Sequence, residues 1–257
     1  MKNSRRTFIK LAGIAAAGLA VAPKKVLASG GGHAPVKVNA TASHAKHWAM
    51  VVDTTKLHTA EAIDELAKVC HHIHNVPSIE GKKEVKWLWH DSYGHSFPEQ
   101  ENPHLAEEVH ERVFPLLCNH CENPPCVRVC PTKATFQRPD GIVAMDYHRC
   151  IGCRYCMAGC PYGSRSFNWG DPRLNLDLAN LNPEFPTRMR GVVEKCNFCV
   201  ERLAVGKKPA CVEASNGAMF FGDLKDPDSE VRKVLREKFT IRRKPSAGTE
   251  PSVYYII

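Results

Sequence analysis

Residues 150–161 read CIGCRYCMAGCP, and this run of four cysteines decides how the rest of the chain is interpreted. Cys150, Cys153 and Cys156 are each separated by two residues, so one short loop can wrap three thiolates around a single metal centre. Cys160 follows three residues later and precedes a proline. This spacing is typical of [4Fe–4S] ligands, with the fourth cysteine ligating a second cluster. Structural zinc sites use paired Cys-x-x-Cys knuckles and need neither the third close cysteine nor the Cys-Pro ending.

A second run precedes it: residues 118–131 read CNHCENPPCVRVCP, the same order with two extra residues in the loop. Together the runs resemble a two-cluster bacterial ferredoxin, in which each run lends its last cysteine to the other cluster. One cluster is thus assigned to Cys118, Cys121, Cys126 and Cys160. The other is assigned to Cys130, Cys150, Cys153 and Cys156. Between the runs, RPDG at 138–141 predicts a turn and IVAMD at 142–146 a short strand.

A third group is incomplete. Cys196, Cys199 and Cys211 lack a fourth member, because Ser215 stands where it would fall, and Cys70 lies alone far upstream. A Cys-x-x-Cys pair with one distant cysteine is also compatible with a zinc knuckle. The apolar residues of segment 59–74 recur at helical spacing, so Cys70 has a second interpretation as an ordinary core residue of an amphipathic helix.

The whole pattern resembles the four-cluster ferredoxin subunits of respiratory oxidoreductases, whose first and last cysteine runs pair. The first run of that family would follow a strand at 48–53, but residues 57–63 read LHTAEAI and contain no cysteine. These positions and Ser215 would together have held one cluster, which has therefore lost all four thiolates. The resemblance implies that the remaining cluster takes Cys196, Cys199, Cys211 and Cys70, for three [4Fe–4S] clusters in all. An oxygen ligand from Ser215 would have no partners.

The resemblance implies an α+β fold of tandem bacterial-type ferredoxin units with small β-hairpins, short helices and long loops. The expected organisation is a twin-arginine signal peptide at 1–28, a linker at 29–45, a degenerate one-cluster ferredoxin unit at 46–103 and 186–225, a two-cluster unit at 104–185, and a C-terminal helix with an extended tail at 226–257. The apolar residues 253–257 fit either an arm that seeks a partner surface or the last strand of the chain's own domain.

The N-terminus indicates export. Residues 4–10, SRRTFIK, form a twin-arginine motif, followed by an apolar stretch at 11–22 and VLA at 26–28 as a cleavage site. An apolar stretch of this length falls short of the ~20 residues that span a bilayer, although retention as an anchor stays open. The predicted location is the periplasm or the outer face of the cytoplasmic membrane, after export by the Tat pathway.

The charge pattern excludes one class of partner. The net charge is +8, but residues 1–28 contribute +6, which leaves +2 for the remainder. This balance argues against nucleic-acid binding. Most of the histidines at positions 58, 71, 72 and 74 are expected at the surface. His120, inside a cysteine loop, is expected to tune a cluster by charge or hydrogen bonding rather than ligate it.

The chain offers no nucleotide-binding loop and no catalytic constellation, so we expect an electron-transfer subunit without a catalytic site of its own. Residues 138–143 (RPDGIV), 146–157 (DYHRCIGCRYCM), 182–187 (NPEFPT) and 254–257 (YYII) resemble the DsrO-type subunits of the DsrMKJOP complexes of sulfate reducers and sulfur oxidisers. That resemblance implies an NrfD-type integral membrane subunit that interacts with quinone and a periplasmic multihaem cytochrome c as partners. The chain would then be peripheral at the membrane through its partner.

Two other functions stay open. The first is that of the electron-transfer subunit of a molybdopterin reductase or dehydrogenase, although such subunits usually keep all four clusters. The second is that of a metal-binding module with a structural or sensing role, which would hold zinc in the third cysteine group.

Overall fold

Short strands and short helices alternate along the chain in the computed structural model, which describes residues 39–257. The predicted signal peptide at 1–28 and residues 29–38 of the predicted linker lie outside the described residues. The strands are β1 Trp48–Asp53, β2 Leu88–Ser92, β3 Val113–Leu117, β4 Thr135–Gln137, β5 Val143–Met145, β6 Ser166–Phe167, β7 Val193–Glu194, β8 Met219–Asp223, β9 Thr240–Ile241 and β10 Val253–Ile256.

The helices are equally short apart from the first. They are α1 Ala60–Ile73, α2 Tyr93–Ser96, α3 Glu107–Glu111, α4 Pro125–Arg128, α5 Tyr155–Ala158, α6 Val200–Leu203, α7 Ala210–Ala214 and α8 Glu230–Glu237. Single 3₁₀ turns lie at Gly81–Lys83, Pro172–Asn175, Leu178–Asn180 and Pro245–Ala247. This mixture of small sheets and helices is an α+β architecture, as the sequence predicts. No helix within residues 39–257 has both the length and the apolar character that a bilayer crossing demands.

The largest sheet has the strand order β8-β1-β10-β9, and the other strands pair as the antiparallel ribbons β2-β3, β4-β5 and β6-β7. β1 is buried along its whole length because both faces of the sheet are covered. Successive side chains of a strand point to opposite faces. Accordingly, Met50 and Val52 enter the main core with Tyr255, whereas Ala49 and Val51 enter a second core with Val231 of α8.

The C-terminal tail is an internal strand, so the interpretation of residues 253–257 as an arm for a partner is wrong. β10 runs parallel to β1, with Val51 opposite Tyr254, and its other edge pairs with β9. Val253 and Tyr255 are fully buried. The run of apolar residues reflects burial between two neighbouring strands, which is the ordinary pattern for a parallel strand covered on both faces.

The predicted helix at 59–74 is confirmed as α1. The Thr59 side chain caps its first turn by accepting a hydrogen bond from the Ala62 backbone N–H, and Ile63, Leu66 and Cys70 form its buried face. The helix packs against β2 and α7. Because α7 carries Cys211, this packing brings Cys70 from a position far upstream to the third cysteine group.

The predicted hairpin between the two cysteine runs is also confirmed. β4 and β5 pair antiparallel, with Thr135 opposite Met145. Gly141 closes the turn at φ +83°, with its N–H donating to the Arg138 carbonyl oxygen at 3.1 Å. A Cβ atom at Gly141 would stand 2.8 Å from the His47 ring, so both the backbone angle and the space favour glycine.

Candidate metal centres

All twelve cysteines lie in the described part of the chain and all are free thiols. The structure distributes them over three places, each with four thiols. Site 1 comprises Cys118, Cys121, Cys126 and Cys160. Site 2 comprises Cys130, Cys150, Cys153 and Cys156. Site 3 comprises Cys70, Cys196, Cys199 and Cys211.

The four thiols of site 1 influence one another directly. Burial raises the pKa of Cys121 to about 12, and the neighbouring thiols Cys118, Cys126 and Cys160 add to this rise. Cys118, Cys121 and Cys126 are buried, and Cys160 is half-buried. Three residues from one run and one from the next thus reach a common point, which is the arrangement that exchange of the last cysteine predicts.

Site 2 surrounds a small cavity at the surface. Cys130, Cys150, Cys153 and Cys156 all line it, together with Gly152. Cys156 is buried, Cys130 and Cys150 are half-buried, and Cys153 is exposed. The N–H of Thr135 donates to the Cys130 sulfur at 3.5 Å. This site is therefore the one that solvent reaches most easily.

Site 3 is enclosed. Its four thiols are each 8% exposed or less. Burial raises the pKa of Cys70 well above its usual range, and the nearby thiols Cys196, Cys199 and Cys211 raise it further. Cys70 is therefore more than a core residue of α1, because all three members of the incomplete group surround it.

The first Cys-x-x-Cys loop of each of the three cysteine groups contains the same backbone turn. The residue before the second cysteine is left-handed in each: His120 at φ +41°, Gly152 at φ +70° and Phe198 at φ +56°. Turns that combine left- and right-handed residues direct successive N–H groups toward one anionic centre. The Phe198 N–H donates to the Cys196 sulfur at 3.5 Å. The incomplete third group is thus built on the same loop as the two complete runs.

Neighbouring side chains place the sites in the order 2, 1, 3. Between sites 2 and 1, Arg165 donates to the Cys126 sulfur at 3.1 Å, and its charge opposes the rise that burial causes in the pKa of Cys156. Between sites 1 and 3, Cys118 and Cys196 both belong to the main core. Burial raises the pKa of Cys196, and the Cys118 thiol adds to that rise. Site 1 is therefore the middle of the series, with enclosed site 3 at one end and open site 2 at the other.

Two buried cations accompany sites 1 and 3. Arg165 is 4% exposed and also donates to the Thr135 hydroxyl at 3.1 Å. Lys195 is 1% exposed and donates to the carbonyl oxygens of Val143 and Cys196, at 2.7 Å for the latter. Neither forms an ion pair with a carboxylate among residues 39–257. Burial of a cation without a counter-ion costs free energy, so an anionic group bound at the thiols would compensate the charges of Arg165 and Lys195.

The histidines near site 3 depart from the prediction. His58 and His72 are exposed as expected, but His74 is 1% exposed and therefore not a surface residue. Its Nε2 lies 2.9 Å from a Glu201 carboxylate oxygen and its Nδ1 lies 2.7 Å from the Cys70 carbonyl oxygen. His71 is also partly buried, and burial lowers its pKa to about 4. Although His74, Cys199 and Glu201 converge as metal ligands would, both ring nitrogens of His74 already have partners.

His120 is buried and uncharged. Burial lowers its pKa well below the usual range, and the nearby charges of Lys195 and Arg165 lower it further. Its Nδ1 accepts a hydrogen bond from the Val143 N–H at 3.1 Å, and its ring stacks on Phe198 at 3.7 Å. Of the two expected ways of tuning a cluster, a positive charge on His120 is therefore not supported.

Ser215 has a purely structural place. Its hydroxyl donates to the Val212 carbonyl oxygen at 2.8 Å and accepts from the Met219 N–H at 3.0 Å. The first bond closes the last turn of α7, and the second joins that turn to the start of β8. The oxygen is fully engaged, and nothing in its surroundings suggests a metal ligand.

Sequence reasoning missed a buried ion pair beside site 3. Arg188 and Glu194 are both fully buried and 2.6 Å apart, and Trp87 donates to the same carboxylate at 2.9 Å. Arg188 also donates to the carbonyl oxygens of His74 and Asn75 at the end of α1. The pair thus joins α1, which carries Cys70, to β7, which shortly precedes Cys196. No spacing pattern could have revealed it, because Arg188 belongs to an irregular segment.

The donor sets fit [4Fe–4S] clusters. Each site offers four free thiols, the left-handed turn supplies N–H groups toward sulfur, and buried cations compensate anionic charge. Four thiolates can also hold a structural zinc ion. The third close cysteine in each of the two complete runs favours iron–sulfur clusters at sites 1 and 2.

Comparisons with known proteins agree with this chemistry. A family model described as a 4Fe-4S dicluster domain matches residues 109–175, the range that contains every cysteine of the two complete runs. The Hdr-like menaquinol oxidoreductase iron-sulfur subunit 1 of Archaeoglobus fulgidus is 43% identical over 274 residues, which cover 98% of this chain and 97% of that protein. The chain is a member of this family of iron–sulfur subunits.

Other members have related names. The menaquinone reductase iron-sulfur cluster-binding subunit of Nitratidesulfovibrio vulgaris is 36% identical over 81% of this chain and 88% of its own length. A polysulfide reductase component of Wolinella succinogenes is 43% identical, but over only 54% of this chain and 64% of its own length. Family membership therefore rests on the full length of the chain and not on the dicluster segment alone.

Proposed function

We propose that this protein is an electron-transfer subunit that carries three [4Fe–4S] clusters, one at each site, and has no catalytic site of its own. The twelve cysteines of sites 1, 2 and 3 are the proposed ligands. The observation that supports this most strongly is the series of three four-thiol groups in which each group lies beside the next. When bound, each cluster would accept and release single electrons.

The chain's own residues would hold and tune this series. α1 and the main core cover site 3 and keep water from its thiols. Arg165 and Lys195 hold fixed positive charge beside sites 1 and 3, and positive charge near a cluster favours its reduced, more negative state. Site 2 leaves Cys153 open to solvent, which gives a donor or acceptor its closest approach there.

We place the subunit in the periplasm or on the outer face of the cytoplasmic membrane, exported by the Tat pathway. The proposed partners are an NrfD-type membrane subunit and a multihaem cytochrome c, as in DsrO-type complexes of sulfite and sulfate respiration or sulfur oxidation. Two observations support a quinone-linked complex: two relatives that match more than four fifths of this chain and of their own length are named as subunits of a menaquinol oxidoreductase and a menaquinone reductase.

A second candidate is the electron-transfer subunit of a molybdopterin reductase. It is favoured by relatives that are named as components of a tetrathionate reductase and a polysulfide reductase. These match only 59% and 54% of the chain, however. Purification of the native complex separates the candidates, because a molybdopterin-containing subunit would co-purify only in the second case.

Metal analysis combined with electron paramagnetic resonance tests the proposal. Three clusters require about twelve iron and twelve sulfide per chain, and a redox titration should resolve three one-electron centres. About eight iron with one zinc would instead assign zinc to site 3 and refute the third cluster.

A further inference from the structure

An apolar patch surrounds the exposed thiol of site 2. Its members are large side chains that are 39–67% exposed, although such residues usually seek burial. We call it the Cys153 face, and it consists of Val129, Ile151, Tyr155, Trp169 and Met189 around Cys153. Exposed apolar residues are ordinary when scattered, but a contiguous patch marks an interaction site.

Backbone and ring contacts bring together the chain segments that carry these side chains. α4, which precedes Val129, packs on α5, which begins at Tyr155. Gly152 lies against the Gly191 carbonyl group and the Phe167 ring. Phe167 in turn meets Trp169 edge-on at 4.8 Å. Met189 lies two residues before Gly191, so three separate segments of the chain converge on the loop that carries Cys153.

The rim of this face is strongly basic. Residues 147–170, 123–139 and 186–193 contain no aspartate or glutamate, although they supply every residue of the face. They do supply exposed cations: Arg128, Lys133, Arg154 and Arg190. None of these four takes part in an ion pair within residues 39–257. Arg154 instead stacks on the Trp169 ring, 4.7 Å from its centre, which fixes one cation directly beside Cys153.

This concentration of charge is local. Outside the signal region the chain is nearly balanced, with +2 over the remaining residues. The acids at the edges of these segments, Asp140, Asp146 and Asp171, are each paired with an arginine, so the unpaired charges are cations. Such an excess of positive charge attracts a partner of opposite charge and speeds its encounter. The apolar centre then excludes water from the contact, as in ordinary protein interfaces.

We propose that the Cys153 face is the docking surface for a redox protein with an acidic interaction surface, which exchanges electrons through site 2. The proposal rests on the proposed electron-transfer function. It adds that a soluble partner docks at the site 2 end of the series and that the docking surface of this partner is acidic. One electron passes between the site 2 cluster and the partner's cofactor, so one is oxidised as the other is reduced.

The experiment measures electron transfer from the reduced holoprotein to two protein acceptors of opposite charge, acidic plastocyanin and basic mitochondrial cytochrome c, by stopped-flow spectroscopy. The double variant Arg154→Glu/Arg190→Glu should slow transfer to plastocyanin about tenfold and should speed transfer to cytochrome c. The matched control Lys207→Glu/Lys225→Glu changes the same charge in exposed loops after α6 and β8, and both rates should stay within about twofold. Every variant carries the same clusters, so their own negative charge cancels in the comparison.

Iron content and the resonance spectrum of each variant are measured first. If the wild-type protein lacks iron, the proposed function fails before docking is tested. With clusters intact, equal slowing in both double variants, or in neither, overturns the docking proposal. Anionic phosphatidylglycerol vesicles provide the other arm: binding that disappears in Arg154→Glu/Arg190→Glu, without an effect on plastocyanin, would assign the face to a membrane and overturn the proposal as well.

Discussion

Sites 2 and 3 use the same left-handed cysteine turn but have opposite surroundings. At site 3, Cys70 comes from α1, and the helix and main core leave every thiol 8% exposed or less. At site 2, Cys153 is exposed, and only a hairpin and a short ribbon lie beneath. Cysteine spacing therefore determines which thiols meet, whereas the elements packed around the loop determine whether solvent or a partner protein can reach them.

The surroundings of the sites also differ in charge. Site 3 has both signs close by: the Lys195 ammonium on the Cys196 carbonyl oxygen and the carboxylate of the His74–Glu201 pair. The boundary of sites 1 and 2 has Arg165 with no carboxylate partner within residues 39–257. Since potentials of such clusters respond to nearby charge, burial and hydrogen bonds to sulfur, clusters of identical composition should differ in potential along the series.

The largest effect is expected from removal of Cys70, the ligand that α1 contributes to site 3. Cys70→Ala should lower the iron content from about twelve to about eight per chain, because one four-iron cluster loses a thiolate. Sites 1 and 2 should keep their resonance signals. If site 3 instead keeps a three-iron cluster, less iron is lost, and the oxidised protein gives a new electron paramagnetic resonance signal.

The control is His72→Ala on the exposed side of the same helix, which should leave iron content unchanged. Equal loss of iron in both variants would mean that α1 is merely needed for folding. Full iron in Cys70→Ala would show that Cys70 is an ordinary core residue, and the proposed composition of site 3 would be wrong.

The next largest effect concerns the ion pair that holds site 3 closed. Arg188→Met leaves the buried Glu194 carboxylate without its partner, which should lower the free energy of unfolding by about 3–5 kcal/mol. The midpoint of thermal unfolding, followed by circular dichroism, should fall accordingly. The double variant Arg188→Met/Glu194→Leu removes both charges and should recover much of the loss. If the double variant is no better than the single one, the packing of Arg188 and not its charge is what matters.

A third prediction concerns the effect of the Arg165 charge on sites 1 and 2, with site 3 of the same molecule as the reference. Arg165→Met removes a buried positive charge next to sites 1 and 2, so their reduction potentials should fall. At an effective dielectric constant of about 20 and a separation of about 7 Å, one charge contributes about 2 kcal/mol, or on the order of 100 mV for one electron. Arg165→Lys should restore most of the potential. Site 3 is the internal reference, and an equal shift there would contradict a local origin.

Much of the fold and of the cysteine sites could be predicted from the sequence because cysteine spacing is a strong local signal. The two complete runs, the hairpin between them, β1 and α1 follow from ligand spacing, turn residues and apolar periodicity, all of which are properties of short segments. Cys70 could be associated with the third group only through the family resemblance. The structure shows the physical basis, which is the packing of α1 on α7.

Other features depend on contacts between distant segments. The tail strand β10 pairs with β1, which lies near the opposite end of the described chain. An apolar segment has the same sequence pattern whether it is buried in its own sheet or against a partner. The burial of His74 depends on Arg188 and Glu201, and the position of Arg165 depends on how the two runs fold together. No short-range pattern carries this information.

The smallest effect tests whether position 215, which would have belonged to the lost cluster, still takes part in a metal centre. Ser215→Ala removes two hydrogen bonds at the end of α7 and should cost about 1 kcal/mol of stability, with iron content unchanged. Ser215→Cys places a thiol there again, but no other member of the lost cluster remains, so iron should still be about twelve per chain. A gain of iron in Ser215→Cys, or a loss in Ser215→Ala, would mean that this position belongs to a metal centre. The lost cluster would then have left a metal-binding position behind, and the series would not end at three sites.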